Sequence, residues 1–318
     1  MHYDVFNGDA DGICALQQLR LAQPVECTLV TGVKRDISLL GRISPVSGDH
    51  VTVLDISLDK NRPALITALE AGAKVQYFDH HMAGDIPQHP ALEAIIDTAA
   101  EVCTSLLVNQ YLQGQHLPWA VVGAFGDNLY DSAMRAAAPL DLSHTQLNEL
   151  RVLGTCINYN GYGNDLSDLL FHPADLFQAL QPFADPWEFI HTQPVYRMLQ
   201  QGYTDDLAHT QRLQAEFTDN AVALYILPDE KWARRISGVF ANQLAREYPD
   251  RAHALLTEKG TGFQVSVRAP INNKAGADQL CSRFPGGGGR QGAAGINLLS
   301  AGQYDEFVAA FREVYAAG

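Results

Sequence analysis

Between Tyr3 and Asn128, four apolar stretches run straight into carboxylates or histidines. Tyr3-Asp4-Val5-Phe6 opens onto Asn7-Gly8-Asp9-Ala10-Asp11-Gly12, and Val51-Thr52-Val53-Leu54 opens onto Asp55. Lys74 to Phe78 opens onto Asp79-His80-His81, and Gly123-Ala124-Phe125 onto Gly126-Asp127-Asn128. The first three stretches read as short strands, as does Cys27 to Val30, and helical spacing lies between them. Ile13 to Leu21 carries apolar residues at helical intervals, and Asp59 is placed to cap a helix through Leu65, Ala68 and Leu69 to Gly72. Such alternation predicts an α/β fold with parallel strands and crossover helices. In open sheets of that kind the ligand crevice lies outside the carboxyl ends of the strands. The residues following each of those three strands are therefore the ones to examine, and they are acidic or histidine-bearing.

From Val102 to about Gln200 the pattern is helical, which suggests a helical continuation of the first domain. Pro194 to Phe217 reads as a connecting helix, and Val222 to Leu227 begins a new apolar strand. Further strand signals stand at Ala254 to Leu256 and Phe263 to Val267. The glycine run Gly286 to Gly289 follows, and a helix spans Tyr304 to Tyr315. The expected organisation is a parallel-sheet, Rossmann-like domain over 1–190, a connector over 191–220 and a smaller α/β domain over 221–318. With 47% hydrophobic and 18% charged residues in 318, the chain has enough apolar surface for two cores. No stretch approaches the ~18 apolar residues of a membrane span, and the start lacks the pattern of a signal peptide, so the expected address is the cytoplasm. The five cysteines form no C-x-x-C pair and read as reduced, mostly buried thiols.

Each acidic element has an ordinary structural explanation when taken alone. Asp and Gly favour turns, and an Asp after a strand often caps the next helix. Together they ask for more, because carboxylates gathered in one crevice repel one another unless cations neutralise them. Hard oxygen ligands with imidazole suit Mn²⁺ or Mg²⁺, and a shared carboxylate can bridge two ions ~3.5–4 Å apart. A site for two divalent cations is the expectation.

These motifs, in this order, resemble those of the DHH phosphoesterase superfamily, whose triplet stands here as Asp79-His80-His81. The resemblance extends to the DHHA1 subfamily, whose distal glycine motif is similar to Gly286-Gly287-Gly288-Gly289-Arg290-Gln291-Gly292-Ala293-Ala294-Gly295. The resemblance implies that Asp9 holds one metal and Asp11 the other, with Asp55 bridging both. His80 and Asp127 would complete the second metal's ligands, His81 would face the substrate phosphate, and Asp79 would fix an imidazole tautomer. Asn7 stands where many members place a histidine ligand, and its neutral amide is a weaker ligand for the first metal. The two ions would activate a water for in-line attack at phosphorus.

Gly287, Gly289 and Gly292 also satisfy G-x-G-x-x-G, but only 26 residues follow Gly292, too few for a dinucleotide-binding half-domain. A plain flexible loop is the other reading. The resemblance implies a phosphate cradle in which Gly287, Gly288 and Gly289 let backbone N–H groups approach the substrate. Arg290 replaces the usual histidine and offers a permanent planar fork for a terminal phosphate; Arg268 matches a substrate-contacting position. Asn158-Tyr159-Asn160-Gly161-Tyr162-Gly163 reads as an ordered surface turn, or as a base-stacking loop. His172-Pro173 and Asp205-Asp206 read as turn or solvated-face features.

The net charge of −14 is segregated: residues 1–220 carry −16 and residues 221–318 carry +2. An acidic solvated surface is the common cause of such a bias. A long nucleic acid needs an extended basic groove, which this balance disfavours. The resemblance then implies a short linear dinucleotide as partner, bridging the two domains and cleaved to mononucleotides, with linear diguanylate (pGpG) first among candidates. A cyclic-dinucleotide phosphodiesterase, a 3'-phosphoadenosine 5'-phosphate phosphatase and an inert nucleotide sensor are the alternatives. No membrane partner is expected, and a homodimer is an admissible assembly.

Overall fold

The computed structural model describes residues 1–315, and the chain divides into two compact units, Met1–Gly202 and Tyr203–Gly318. The first unit runs β1 (His2–Phe6), α1 (Ala10–Ala22), β2 (Thr28–Val30), β3 (His50–Leu54), α2 (Leu58–Glu70), β4 (Lys74–Asp79) and β5 (Leu92–Ile96). It continues with α3 (Thr104–Tyr111), α4 (Leu117–Gly126), α5 (Tyr130–Ala137), α6 (His144–Gly161), α7 (Pro173–Leu180) and α8 (Pro186–Thr192). Helix α9 (Pro194–Thr210) carries the division between the units. The second unit continues with β6 (Phe217–Thr218), β7 (Val222–Leu227), α10 (Lys231–Glu247), β8 (Ala252–Lys259), β9 (Gly262–Arg268) and α11 (Ala277–Cys281). It closes with β10 (Gly287–Arg290), β11 (Ala293–Ser300) and α12 (Tyr304–Tyr315). Among the described residues no helix is long and apolar enough to cross a membrane.

The first sheet has the order β2-β1-β3-β4-β5 and is parallel throughout, as the alternation of strand and helix predicts. From β1 the chain steps outward to β2 and then returns to the other side as β3. The order reverses there, which opens a crevice between the carboxyl ends of β1 and β3. Val5, Val51, Val53, Val75 and Tyr77 form a core with Leu58, Leu65 and Leu69 of α2. Helix α1 is buried from Ala10 to Arg20 and packs against α3, α4 and α6. Gly126 of α4 and Gly154 of α6 set one of these approaches. A Cβ at Gly154 would stand 2.3 Å from the Val122 carbonyl oxygen, and one at Gly126 would stand 2.2 Å from Ala10 Cβ. Asp127 caps α4 immediately after this contact, so close packing of the helices places a site residue.

Several local expectations are corrected. Helix α2 begins one residue after Ser57, so Asp59 lies in its first turn and is not the cap. The glycine run is not a loop: Gly287 to Arg290 is an edge strand paired with β11. Glycine is required at 287, where a Cβ would meet the Cys281 carbonyl oxygen at 2.0 Å. Asn158 to Gly161 are the buried last turn of α6, not a surface turn. Asp206 is buried rather than solvated and pairs with both Nε and an Nη of Arg235, at 2.8 and 3.0 Å. His172 caps α7 through Nδ1, 3.1 Å from the amide of Ala174.

The second sheet is mixed, in the order β10-β11-β9-β8-β7-β6. Its apolar core joins Val222, Leu224, Leu256, Val265, Val267 and Ile296 to Leu280, Phe307 and Phe311 of α11 and α12. The register sets Arg290 beside Ala293, Ala293 beside Arg268 and Arg268 beside His253. Directly opposed residues share a face of the sheet, so these four form one row on one face.

His253 is fully buried and neither ring nitrogen has a hydrogen-bond partner. Burial, assisted by Arg251, lowers its pKa from 6.5 to about 4. The unfolded chain therefore takes up a proton between those values while the folded chain does not. Stability from this residue is fully present above pH 6.5 and is lost as pH falls toward 4, by up to about 3 kcal/mol. Urea unfolding at pH 7.5 and pH 4.5 should show that loss in the wild type and a smaller one in His253→Leu; equal losses would show that another group carries it.

Candidate metal centre

The carboxyl ends of β1, β3 and β4 deliver their polar residues to one place. The backbone ladder extends past the strands to fix them: Asn7 N–H donates to the Leu54 carbonyl at 3.1 Å and Asp55 N–H to the Phe78 carbonyl at 3.0 Å. Asp9 caps α1, and its Oδ1 accepts from the amides of Asp11 and Gly12 at 3.0 and 3.1 Å. Asp11, in the first turn, is fully buried. Its two oxygens accept from the amides of Thr104 and Ser105, both at 2.7 Å, at the start of α3. A helix N-terminus favours negative charge, which holds this carboxylate in place without consuming all its lone pairs.

Asp55 adopts φ 58°, a left-handed conformation uncommon outside glycine. That turn directs its carboxylate into the crevice, where Oδ1 accepts from Thr104 Oγ1 at 3.2 Å. Burial, then Asp11 and Asp9, push its pKa well above the usual carboxylate value. Asp127 is likewise raised, by burial first, against the opposing pull of Lys34 and His80. Both shifts express burial first, and the neighbouring carboxylates add to it.

His80 tests whether a divalent cation fits. Its Nδ1 donates to the Val102 carbonyl at 2.8 Å, so in the neutral ring Nε2 is a lone pair. Nε2 lies 3.4 Å from Asp55 Oδ1 and 3.9 Å from both Asp11 Oδ2 and Asp127 Oδ2. A lone pair facing three carboxylates is repulsive unless a cation stands among them, and carbonyl-anchored imidazole is the usual form of a metal-ligating histidine. The groups able to hold an ion are Asp11, His80 and Asp127, and Asp55, His80 and His81. Imidazole with carboxylates suits Mn²⁺, and also Mg²⁺.

His81 donates through Nδ1 to Asp79 Oδ1 at 2.7 Å, while Asp79 Oδ2 is buried without a partner. Burial opposes a charged His81 ring, but Asp79 and Asp55 outweigh it and raise its pKa. With its side chain 32% exposed, His81 lies at the rim of the cluster.

Asn7 sits at the site with both polar groups engaged. Its Oδ1 accepts from the Asp9 amide at 3.2 Å and its Nδ2 donates to the Lys34 carbonyl at 3.1 Å. Lys34 itself escapes a search for acids and histidines. Its ammonium donates to Asp9 Oδ2 and, at 3.0 Å, to Asn158 Oδ1, and lies 3.7 Å from Asp127 Oδ1. Burial would lower its pKa, but Asp9, Tyr162 and Asp127 hold it well above its usual value. Asp9 is correspondingly lowered, Lys34 overcoming the effect of burial. A strand-end criterion that included cations would have found this residue, which follows β2 by four positions.

The remaining candidates lie in the second unit. Arg268 is half-buried and tethered, donating through Nε to Asn242 Oδ1 at 2.6 Å and through an Nη to Ser266 Oγ at 3.0 Å. Arg290 is exposed at the end of the edge strand, and Gly287, Gly288 and Gly289 precede it.

Residues 218–317 match the family model of the DHHA1 domain. No curated protein sequence matches significantly. Among solved structures the chain is similar over 100% of its length to exonuclease RecJ bound to manganese, with a TM-score of 0.64, 16% identity and 90% of that chain covered. It is similar to RecJ of Thermus thermophilus in complex with Mn²⁺ at a TM-score of 0.62 and 18% identity, covering all of this chain and 52% of that one. It is similar also to PggH of Vibrio cholerae, a pGpG-specific phosphodiesterase, at 0.60 and 17% identity, each chain covered completely. At such identities the likeness establishes the fold, an α/β parallel-sheet unit followed by a DHHA1 unit.

Proposed function

Residues 218–317 match the DHHA1 domain, and from that premise we propose that the chain is a divalent-cation-dependent phosphodiesterase of the DHH/DHHA1 superfamily, acting on short linear dinucleotides. The observation that carries the reading is the lone pair of His80 set among Asp11, Asp55 and Asp127. A divalent cation bound by those four side chains supplies Lewis acidity toward a phosphoryl oxygen and makes water more acidic. The chain's own groups do the rest. Thr104 and Ser105 hold the Asp11 carboxylate, the Asp55 turn aims its oxygens, and Val102 fixes the His80 tautomer. Asp79 orients His81 through Nδ1 and, with Asp55, favours the protonated ring, in which Nε2–H is a donor for a phosphate or a departing oxygen.

The choice of a short substrate is supported by charge. Residues 1–220 carry −16, which would repel the many phosphates of a long strand. That separates the reading from an exonuclease such as RecJ, and the PggH likeness makes pGpG the leading substrate. Arg268 and Arg290, in one row of the second sheet, offer guanidinium donors suited to phosphate. Water adds across the internal phosphodiester, and pGpG yields two molecules of GMP.

The test is a mass-spectrometric assay of the purified protein with Mn²⁺ against all sixteen 5'-phosphorylated dinucleotides and their unphosphorylated counterparts. Release of mononucleotides, fastest from pGpG and slower without the 5'-phosphate, is the expected result. Binding without turnover of any dinucleotide would replace the enzyme with a nucleotide sensor. Turnover confined to cyclic dinucleotides or to 3'-phosphoadenosine 5'-phosphate would move the substrate.

A further inference from the structure

The donor set offers room for one divalent ion, and a lysine stands where a second would go. Among the described residues, both groups of acidic and histidine side chains able to hold an ion contain His80, and neither contains Asp9. His80 has a single free nitrogen, since Nδ1 is bound to the Val102 carbonyl. One lone pair binds one ion, so the two groups describe one occupancy with Asp55 or Asp127 contributing from either side.

A second ion at Asp9 and Asn7 would meet a positive charge already held there by the chain. Asp9 Oδ1 is taken by two backbone amides and Oδ2 by the Lys34 ammonium. The Asn7 amide is occupied on both sides, its nitrogen by the carbonyl of Lys34 itself. Asn7 thus anchors the segment that carries the lysine. The Lys34 amide adds a second anchor, donating to the Gly161 carbonyl at 2.8 Å. Between these anchors the ammonium is surrounded by oxygens of Asp9, Asn158 and Asp127 and faces the Tyr162 ring at 5.7 Å. Three side-chain oxygens around one positive charge are the surroundings of a bound cation, here covalently attached to the chain.

We propose that the Lys34 ammonium takes the place of one of two divalent cations, so that the chain binds a single divalent ion through Asp11, Asp55, His80 and Asp127. This rests on the reading of the cluster as a cation site. The fixed charge differs from a metal in one chemical respect: an ammonium donates hydrogen bonds but has no vacant orbital, so it offers a phosphate charge and N–H donors and does not make water more acidic. Asp9 and Asn158 then serve as positioning residues for Lys34.

Metal-binding stoichiometry tests this without reference to turnover. The metal-free protein is titrated with Mn²⁺ by calorimetry, and its electron paramagnetic resonance spectrum is taken at saturation. The expected result is one ion per chain with the six-line signal of isolated Mn²⁺. Lys34→Ala and the better-packed Lys34→Gln free the Asp9 carboxylate, so at least one of them, folded by circular dichroism, should take up a second ion and show an exchange-coupled spectrum. Two ions in the wild type would overturn the inference and leave the phosphodiesterase reading standing, whereas no bound ion would overturn both. Wild type and both folded variants all stopping at one ion would show that the lysine displaces nothing, and would also overturn it.

Discussion

Asp55→Asn should lower dinucleotide turnover by about 10²–10³-fold or more, the cost typical of removing one group that stabilises charge in the transition state, while leaving the metal-free protein no less stable. Two features make the substitution selective. Asparagine tolerates the left-handed conformation that Asp55 adopts at φ 58°, so the turn after β3 survives. It is also close in shape, so the contact with Thr104 Oγ1 can be kept. What is lost is one buried carboxylate beside Asp11 and Asp9, whose pKa is raised by burial and then by their repulsion. Without a cation that carboxylate is a liability; with one it is a ligand. Thermal unfolding in chelator should therefore match or exceed the wild type, and the rise in Tm on adding Mn²⁺ should shrink, because a ligand stabilises only as far as it binds the folded state. A variant unstable in chelator, or one still fully stabilised by Mn²⁺ and fully active, would remove Asp55 from the centre.

The parallel α/β fold and the acidic residues at its strand ends are legible in the sequence, whereas several elements around them are not. The four acidic elements are visible because each follows its own apolar segment, and a parallel sheet necessarily gathers strand ends on one side. Leu92 to Ile96 carries no clear strand signal, because β5 is an edge strand of mostly half-buried residues without clean alternation. Helix α10 gives a weak helical signal although Ala233, Ile236, Phe240 and Leu244 lie on its buried face, because Arg234 and Arg235 interrupt the apolar pattern. The glycine run carries no strand signal of its own, since its strand character comes from pairing with β11, not from its side chains. Lys34, Asn158 and Asp206 share a different cause. Each is a polar residue whose partner lies 25 to 124 positions away, and local composition cannot distinguish a lysine bound for solvent from one bound for a buried carboxylate.

Asp4 is another buried polar residue, paired with Arg20, and its replacement should be among the most damaging to stability. It lies in the middle of β1, fully buried, where a strand pattern alone would expect an apolar residue. Arg20 of α1, 8% exposed, grips it with both Nε and an Nη, and that Nη also donates to Thr52 Oγ1 at 3.1 Å. The Cys27 thiol donates to Asp4 Oδ2 at 2.9 Å, and burial followed by Asp4 raises that thiol's pKa to about 12, so it stays protonated as a donor. Strand β1, helix α1 and the approach to β2 thus meet at one carboxylate. Removing the carboxylate alone leaves a buried guanidinium without its counter-charge, which costs about 3–5 kcal/mol. Replacing both charges by apolar side chains of similar volume avoids that penalty. Asp4→Leu should therefore lower the free energy of unfolding in urea by about 3–5 kcal/mol, and Asp4→Leu with Arg20→Met should recover most of it. The recovery matters more than the loss, because simple loss of packing would make the double variant worse than either single one.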